Sequence, residues 1–301
     1  MSTRQDLIRN FAIIAHIDHG KSTLADRIME MTNTVSERET EAQLLDDLSV
    51  EKAHGVTVKS RTVRNYYIDN NGTEYQYNLI DTPGHVDFNY EVSRSLSATD
   101  GVLLLVDATK GVQAQTVANY RLAKAANLVI IPIVNKIDNM AAEVDKTIEE
   151  LLDLDESFKE EDILKISAKS GLGVDAVLEA IRDRIPAPQG DETGKLKALV
   201  FDSKFDPYKG VIVQVRLFDG QLKSSDNVLF MANKIKSQIK EMGVFSPLMT
   251  PLDTLKAGDV GFIVTGIKDA KAVRVGDTIT LANDPVAEPL PGYQDVEPMV
   301  Y

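Results

Sequence analysis

Up to Ile185, short apolar runs alternate with stretches of helical period, and beyond it that alternation stops. Residues 11–15, 78–80, 102–106, 129–134 and 163–166 are too short for helices and largely apolar, as strands covered on both faces are. Strands separated by amphipathic helices predict an α/β fold, a mostly parallel sheet with helices on both sides. Residues 57–69, the turn Asn70-Asn71-Gly72 and the alternation leading through Tyr75 and Tyr77 to Ile80 predict an antiparallel hairpin added at one edge. Pro186, Pro188 and Gly190 then interrupt any helix. After them come strand candidates at 198–202, 211–218, 227–231, 235–242, 261–265 and 278–281, punctuated by Asp219-Gly220, Gly243, Gly258, Gly266 and Gly276. The expected organisation is an α/β domain over 1–188, a linker over 189–194 and a small antiparallel β-barrel over 195–301.

Composition narrows the chemistry. With 33 Lys+Arg against 46 Asp+Glu the net charge is −13, which disfavours non-specific attraction to nucleic acid or an anionic membrane, so any RNA contact must be local. The chain has no cysteine, which excludes a disulfide scaffold, a thiolate zinc site and a cysteine nucleophile. Residues 1–9 are polar, without the apolar stretch of a signal peptide, and no run of about 18 apolar residues occurs anywhere. A soluble, intracellular protein is expected.

The segment Ala15-His16-Ile17-Asp18-His19-Gly20-Lys21-Ser22 follows one expected strand and opens a helix near Thr23, the setting of a phosphate-binding loop. It departs from the Walker A pattern only in having Ala15 where the first glycine usually stands. Backbone N–H groups from Asp18 through Thr23 would wrap phosphates, Lys21 would reach the β and γ oxygens, and the Ser22 hydroxyl would ligate Mg²⁺. The plainer alternative is a strand-turn-helix corner with a capping serine. A transition-metal site at His16, Asp18 and His19 is disfavoured, because a loop converging its amides on phosphate cannot easily turn three side chains onto one ion.

Three more segments fall at expected strand ends. Asp81-Thr82-Pro83-Gly84 can reach Mg²⁺ through water from Asp81, while Gly84 can bring its N–H to a γ-phosphate without a Cβ clash; an ordinary Pro-Gly turn is the alternative. Asn135-Lys136-Ile137-Asp138 selects the base. The Asp138 carboxylate accepts from guanine N1–H and the 2-amino group, and adenine offers neither donor. Asn135 would brace the loops, and the Lys136 stem would lie along the base plane. Ser167-Ala168-Lys169 can offer the Ala168 N–H to guanine O6; alone it is a common tripeptide.

In this order the four segments resemble those of the translational GTPases. Asp81-Thr82-Pro83-Gly84-His85 is typical of ribosome-dependent factors, and Ile8-Arg9-Asn10-Phe11, the 15–27 segment and Tyr90-Glu91-Val92-Ser93-Arg94-Ser95-Leu96 are similar to the elongation factor 4 (LepA) family. The resemblance implies GTP hydrolysis to GDP and phosphate, with Lys21, Thr57 and His85 as the catalytic group. It implies Mg²⁺ held by Ser22, Thr57 and Asp81, and a part for Asp18 in holding a monovalent cation. Thr57 matches the switch threonine that senses the γ-phosphate, and His85 the residue that orients the attacking water. The implied partner is the ribosome, through its RNA and proteins, with no DNA, no membrane insertion, a monomeric state and a cytoplasmic location. Elongation factor G or BipA types, and a GTP-gated ribosome-binding module with weak hydrolysis, stay open. His54, Val56 and Asn139-Met140 depart from the family pattern, and the family carries additional domains, expected here beyond Tyr301. Lys234, Lys236 and Lys240 are expected to share one strand face, either guarding an edge or touching RNA. Tyr66, Tyr67, Tyr75 and Tyr77 suit cross-strand packing or base stacking.

Overall fold

The computed structural model describes residues 3–34, 61–82 and 89–290, with the backbone alone at positions 61, 81, 89–91 and 270. The chain divides into two compact units, Met1–Pro188 and Gln189–Tyr301.

The first unit runs β1 (Ile8–Ala15), α1 (Lys21–Met31), β2 (Arg61–Ile68), β3 (Glu74–Asp81), α2 (Asn89–Leu96), β4 (Gly101–Asp107), α3 (Ala114–Ala125), β5 (Val129–Asn135), α4 (Val144–Leu154), β6 (Leu164–Lys165) and α5 (Val174–Arg184). Its strands lie in the order β2-β3-β1-β4-β5-β6. All pairings are parallel except β2 with β3, the edge hairpin that the Asn-Asn-Gly turn predicts. In that turn the Asp69 carboxylate accepts from the N–H groups of Asn71 and Thr73, and Gly72 supplies the positive φ. Side-chain alternation along the central strands gives each face its own core. Phe11, Ile13, Leu103 and Leu105 pack with Leu24 and Ile28 of α1 and Val177 and Ile181 of α5. Ala12, Ile14, Val102 and Leu104 pack with Val92, Tyr120, Ala123, Ile148 and Leu151 of α2, α3 and α4. Each fully buried Leu, Ile or Val contributes roughly 1.5–3 kcal/mol. Helix α1 stops where the Thr32 hydroxyl turns back to the Ile28 carbonyl and Asn33 adopts a left-handed φ. The run at 163–166 forms only a two-residue edge strand, yet the Ile166 N–H still donates to Val134.

The second unit contains β7 (Lys197–Asp206), β8 (Gly210–Asp219), β9 (Gln221–Lys223), β10 (Asn227–Phe230), β11 (Ile235–Gln238), β12 (Glu241–Phe245), β13 (Met249–Pro251), β14 (Thr254–Lys256), β15 (Val260–Val264) and β16 (Thr278–Leu281). Eight of these form a sheet ordered β11-β10-β16-β7-β8-β15-β12-β13, and β14 pairs with β9. Every pairing is antiparallel. Val200, Val213, Val215, Phe230, Met242 and Ile263 lie in its core. The single strand expected at 235–242 is two. β11 pairs with β10, the chain turns at Ile239 and Lys240, and β12 pairs with β15 elsewhere in the sheet. Lys234 has a left-handed φ in the turn before β11 and Lys240 sits in the break, so the three lysines do not share one strand face. Residues 189–194 are hydrogen-bonded within this unit: the Asp191 N–H donates to the Asp219 carboxylate, and the Gly220 N–H to the Asp191 carbonyl. Among the described residues no helix is long and apolar enough to cross a membrane.

Candidate functional site

The parallel strands of the first unit end together, and the loops leaving them meet at that edge. Between β1 and α1 the chain turns through Asp18 and Gly20, both with positive φ. Gly20 is required twice over: its φ is +98°, and a Cβ there would lie 2.4 Å from the Asn135 amide nitrogen. That nitrogen, Asn135 Nδ2, donates to the His19 carbonyl at 2.9 Å, and Asn135 Oδ1 accepts the Ala168 N–H at 2.9 Å. One buried side chain at the end of β5 therefore joins the 16–20 loop to the Ser167-Ala168-Lys169 turn. Arg27 of α1 braces the same turn, donating to the carbonyls of Ala168 and Lys169.

Lys21 and Ser22 are buried in the first turn of α1. Lys21 Nζ donates to the Thr82 carbonyl just beyond β3, and the Thr82 hydroxyl donates to the Ile13 carbonyl at 2.9 Å. Thr23 follows in the same turn and is exposed. The backbone at Asp81 is level with Ile13 of β1. Thr57, Gly84 and His85 lie outside the described residues.

Lys136 has φ +63° and donates to the Asp18 carbonyl at 2.6 Å while pairing with the Asp107 carboxylate at 2.7 Å. Burial raises the Asp107 carboxyl, but hydrogen bonds from Lys136 and Thr109 outweigh it and hold the group below the usual carboxylate range. The Asp107 N–H donates to His19 Nδ1 at 3.1 Å. The His19 ring is fully buried and T-shaped against His16, with ring centroids 5.1 Å apart. Burial above all, then His16, pulls its pKa down to about 4, so the ring is neutral near pH 7. The imidazole of His19 thus serves the fold beneath the loop, and the backbone N–H of His19 closes a turn onto the His16 carbonyl. No group of three or more His, Cys, Asp or Glu side chains able to hold a metal ion occurs among the described residues.

The Asp138 side chain is exposed with no hydrogen-bond partner among the described residues, and neither does the Lys169 N–H have one. The Ala168 N–H, expected to face a base, is already given to Asn135. Residues that the motifs do not name support the loop from behind. Gln115 Oε1 of α3 accepts the Ile17 N–H, and Asn119, one turn on, donates to the Ala15 carbonyl. Their signal in the sequence is a polar pair at i and i+4 on a helix face that is buried. Asp107, ending an otherwise apolar strand, gives a similar one.

Residues 6–187 match the family model of the elongation factor Tu GTP binding domain, and residues 210–280 that of elongation factor Tu domain 2. The chain belongs to this family. Every loop at the strand edge falls inside the first match. Within the family the chain is similar to the elongation factor 4 proteins. It is 62% identical to elongation factor 4 2 of Lactiplantibacillus plantarum over 298 residues, 99% of this chain and 50% of that protein. It is 55% identical to elongation factor 4 of Thermotoga maritima, again over 99% of this chain and 48% of the relative. The chain thus spans about half the length of the curated relatives it matches. Among solved structures, a bacterial selenocysteine-specific elongation factor shares the fold, with a TM-score of 0.71 over 92% of this chain and 45% of the other at 23% identity.

Proposed function

We propose that this chain binds guanine nucleotide together with Mg²⁺ and hydrolyses GTP to GDP and phosphate on the ribosome, as a translation factor of the elongation factor 4 type. Residues 1–188 are the nucleotide domain, 189–194 the connection and 195–301 the second domain, a β-barrel. The observation that carries the reading is the bridge through Asn135, which draws the phosphate loop and the Ser167-Ala168-Lys169 turn together and leaves the Asp138 carboxylate open beside them. An exposed acceptor next to converging N–H groups suits a base with two adjacent donors, and guanine has them.

The residues present fit the ligands. Lys21, held by a backbone carbonyl at the start of α1, exchanges that partner for phosphate oxygens without leaving the helix N-terminus. Ser22, with Thr57 and Asp81, is an oxygen-donor set of the kind Mg²⁺ prefers; when bound, the ion neutralises charge on the phosphate oxygens. Asp18 and Thr23 complete the loop around the phosphates and Gly84 approaches the terminal one. His85 orients the attacking water. Phosphoryl transfer needs positioning and charge neutralisation more than a strong base, so turnover is slow until a partner fixes His85. Off the ribosome the protein is a cytoplasmic monomer.

GTP turnover measured with and without ribosomes tests this reading. Stimulation that His85→Ala removes, with GDP affinity retained, is the expected result. No stimulation of a protein that carries the remaining elongation factor 4 domains would contradict ribosome-coupled hydrolysis.

A further inference from the structure

Asp107 occupies the last position of β4, level with Asn135 in the parallel ladder, and its side chain is 1% exposed. Two segments distant in sequence converge on it, and the turn just after it closes back on it. Its carboxylate takes the Lys136 ammonium at 2.7 Å, its other oxygen accepts from the Thr109 N–H and hydroxyl at 2.8 Å, and its own N–H donates to His19 Nδ1. Lys136 in turn reaches the Asp18 carbonyl. A lysine that is not anchored samples many rotamers, and holding one costs up to about 2 kcal/mol of side-chain entropy. Here a buried carboxylate fixes the far end of the chain, and the left-handed backbone at Lys136 fixes the near end. The stem between them has little freedom left.

We propose that Asp107 is a positioning residue for guanine-nucleotide retention: it clamps the Lys136 ammonium against the phosphate loop, so that the Lys136 stem stays flat beneath the base and the two loops cannot part. The inference rests on the guanine-nucleotide reading above and adds to it a residue outside the recognised motifs. The clamp acts after the nucleotide is seated. Its loss therefore speeds release more than it slows capture.

The test is release of a fluorescent GDP analogue from the chain, with Mg²⁺ present and excess unlabelled GDP as chase. Asp107→Asn keeps the shape and an acceptor for Thr109 but sets an amide against the ammonium. Lys136→Met keeps the stem and removes the charge. Each is expected to raise the release rate about tenfold or more, the worth of one hydrogen bond to a charged group, with the capture rate changed much less. The double variant is expected to release no faster than the faster single variant, because both changes remove one link. Wild-type release by Asp107→Asn overturns the inference, as do single effects that multiply in the double variant. Lys136→Met carries the test alone if Asp107→Asn does not fold, and its wild-type release overturns the inference equally. A wild-type chain that retains GDP beside unaltered variants overturns this inference only; a wild-type chain that retains none overturns the guanine reading and the clamp with it.

Discussion

The two ends of the parallel sheet in the first unit both bury charged and polar side chains, and they use them differently. At the end where β5 begins, Asp155 accepts from the Tyr120 hydroxyl, from Lys124 and from the Ser157 N–H and hydroxyl, and Tyr77 donates to the Leu178 carbonyl. Asp155 is held well below the usual carboxylate range despite its burial, because those donors outweigh it. A cavity of about 410 Å³ beside it is lined by Lys124, Asp155, Asp162 and Arg184, whose charges pair with one another. At the end where β4 and β5 finish, Asp107, Asn135 and Lys136 instead tie together loops far apart in the chain, and the Asp138 side chain and the Lys169 N–H have no partner among the described residues. A pocket with closed accounts is architecture. An edge with cross-braced loops and open groups among the described residues is what the proposed nucleotide site requires, and the volume of a cavity does not distinguish the two.

The sharpest way to break that contrast is Asp138→Asn. The amide presents a donor where guanine also presents donors, so GDP affinity is expected to fall roughly a thousandfold relative to that for xanthosine diphosphate, whose C2 carbonyl accepts. Competition binding with both nucleotides checks it, and an unchanged order of preference would remove Asp138 from base reading. Next in size is Lys21→Ala, expected to weaken GDP binding about a hundredfold through lost charge-assisted contacts, as read by calorimetry. The urea midpoint, read alongside, separates this loss of binding from any loss of stability.

The opposite end should answer in the other currency. Asp155→Ala leaves the Tyr120 hydroxyl and Lys124 without their acceptor and is expected to cost about 3 kcal/mol in urea unfolding while GDP affinity stays within twofold. An affinity loss as large as that of Lys21→Ala would mean that the two ends are coupled and that the contrast is wrong.

A pH dependence of comparable size is expected at the ligand edge. The His19 ring has a pKa of about 4 in the fold, below its ordinary value of 6.5. As pH falls through that interval the unfolded chain takes up the proton first, so stability is fully present above pH 6.5 and is lost towards pH 4, on the order of 3 kcal/mol. His19→Asn keeps an acceptor near Nδ1 and cannot titrate; its unfolding free energy is expected to lose that much less than the wild type's over the interval. Parallel pH profiles would show that the ring is not buried neutral.

What could be read from the sequence followed from period and position. The runs at 102–106 and 129–134 stand out because strands covered on both faces must be apolar throughout, and β4 and β5 extend them by only a residue or so. The loops stood out because each follows such a run. Asn135 was legible as a brace because an amide at a strand end has both a donor and an acceptor to place. The break in 235–242 was not legible, since both halves alternate and only the distant strands β10 and β15 decide where each half pairs. Nor was the burial of His19, because its placement depends on an N–H from Asp107, far along the chain. Taken alone, the turn offers the Ala168 N–H to a base; in the fold Asn135 Oδ1, from a strand end far along the chain, accepts it. Local pattern specifies the elements, and long-range partners specify which polar atoms remain for a ligand.

The most direct measurement is a paired titration of the chain with GDP and with ADP in Mg²⁺, followed by calorimetry. The account predicts saturable binding of GDP at one site and at least a hundredfold weaker binding of ADP, because adenine leaves the Asp138 carboxylate without its two donors. Equal affinity for both nucleotides, or heat from neither, would contradict it.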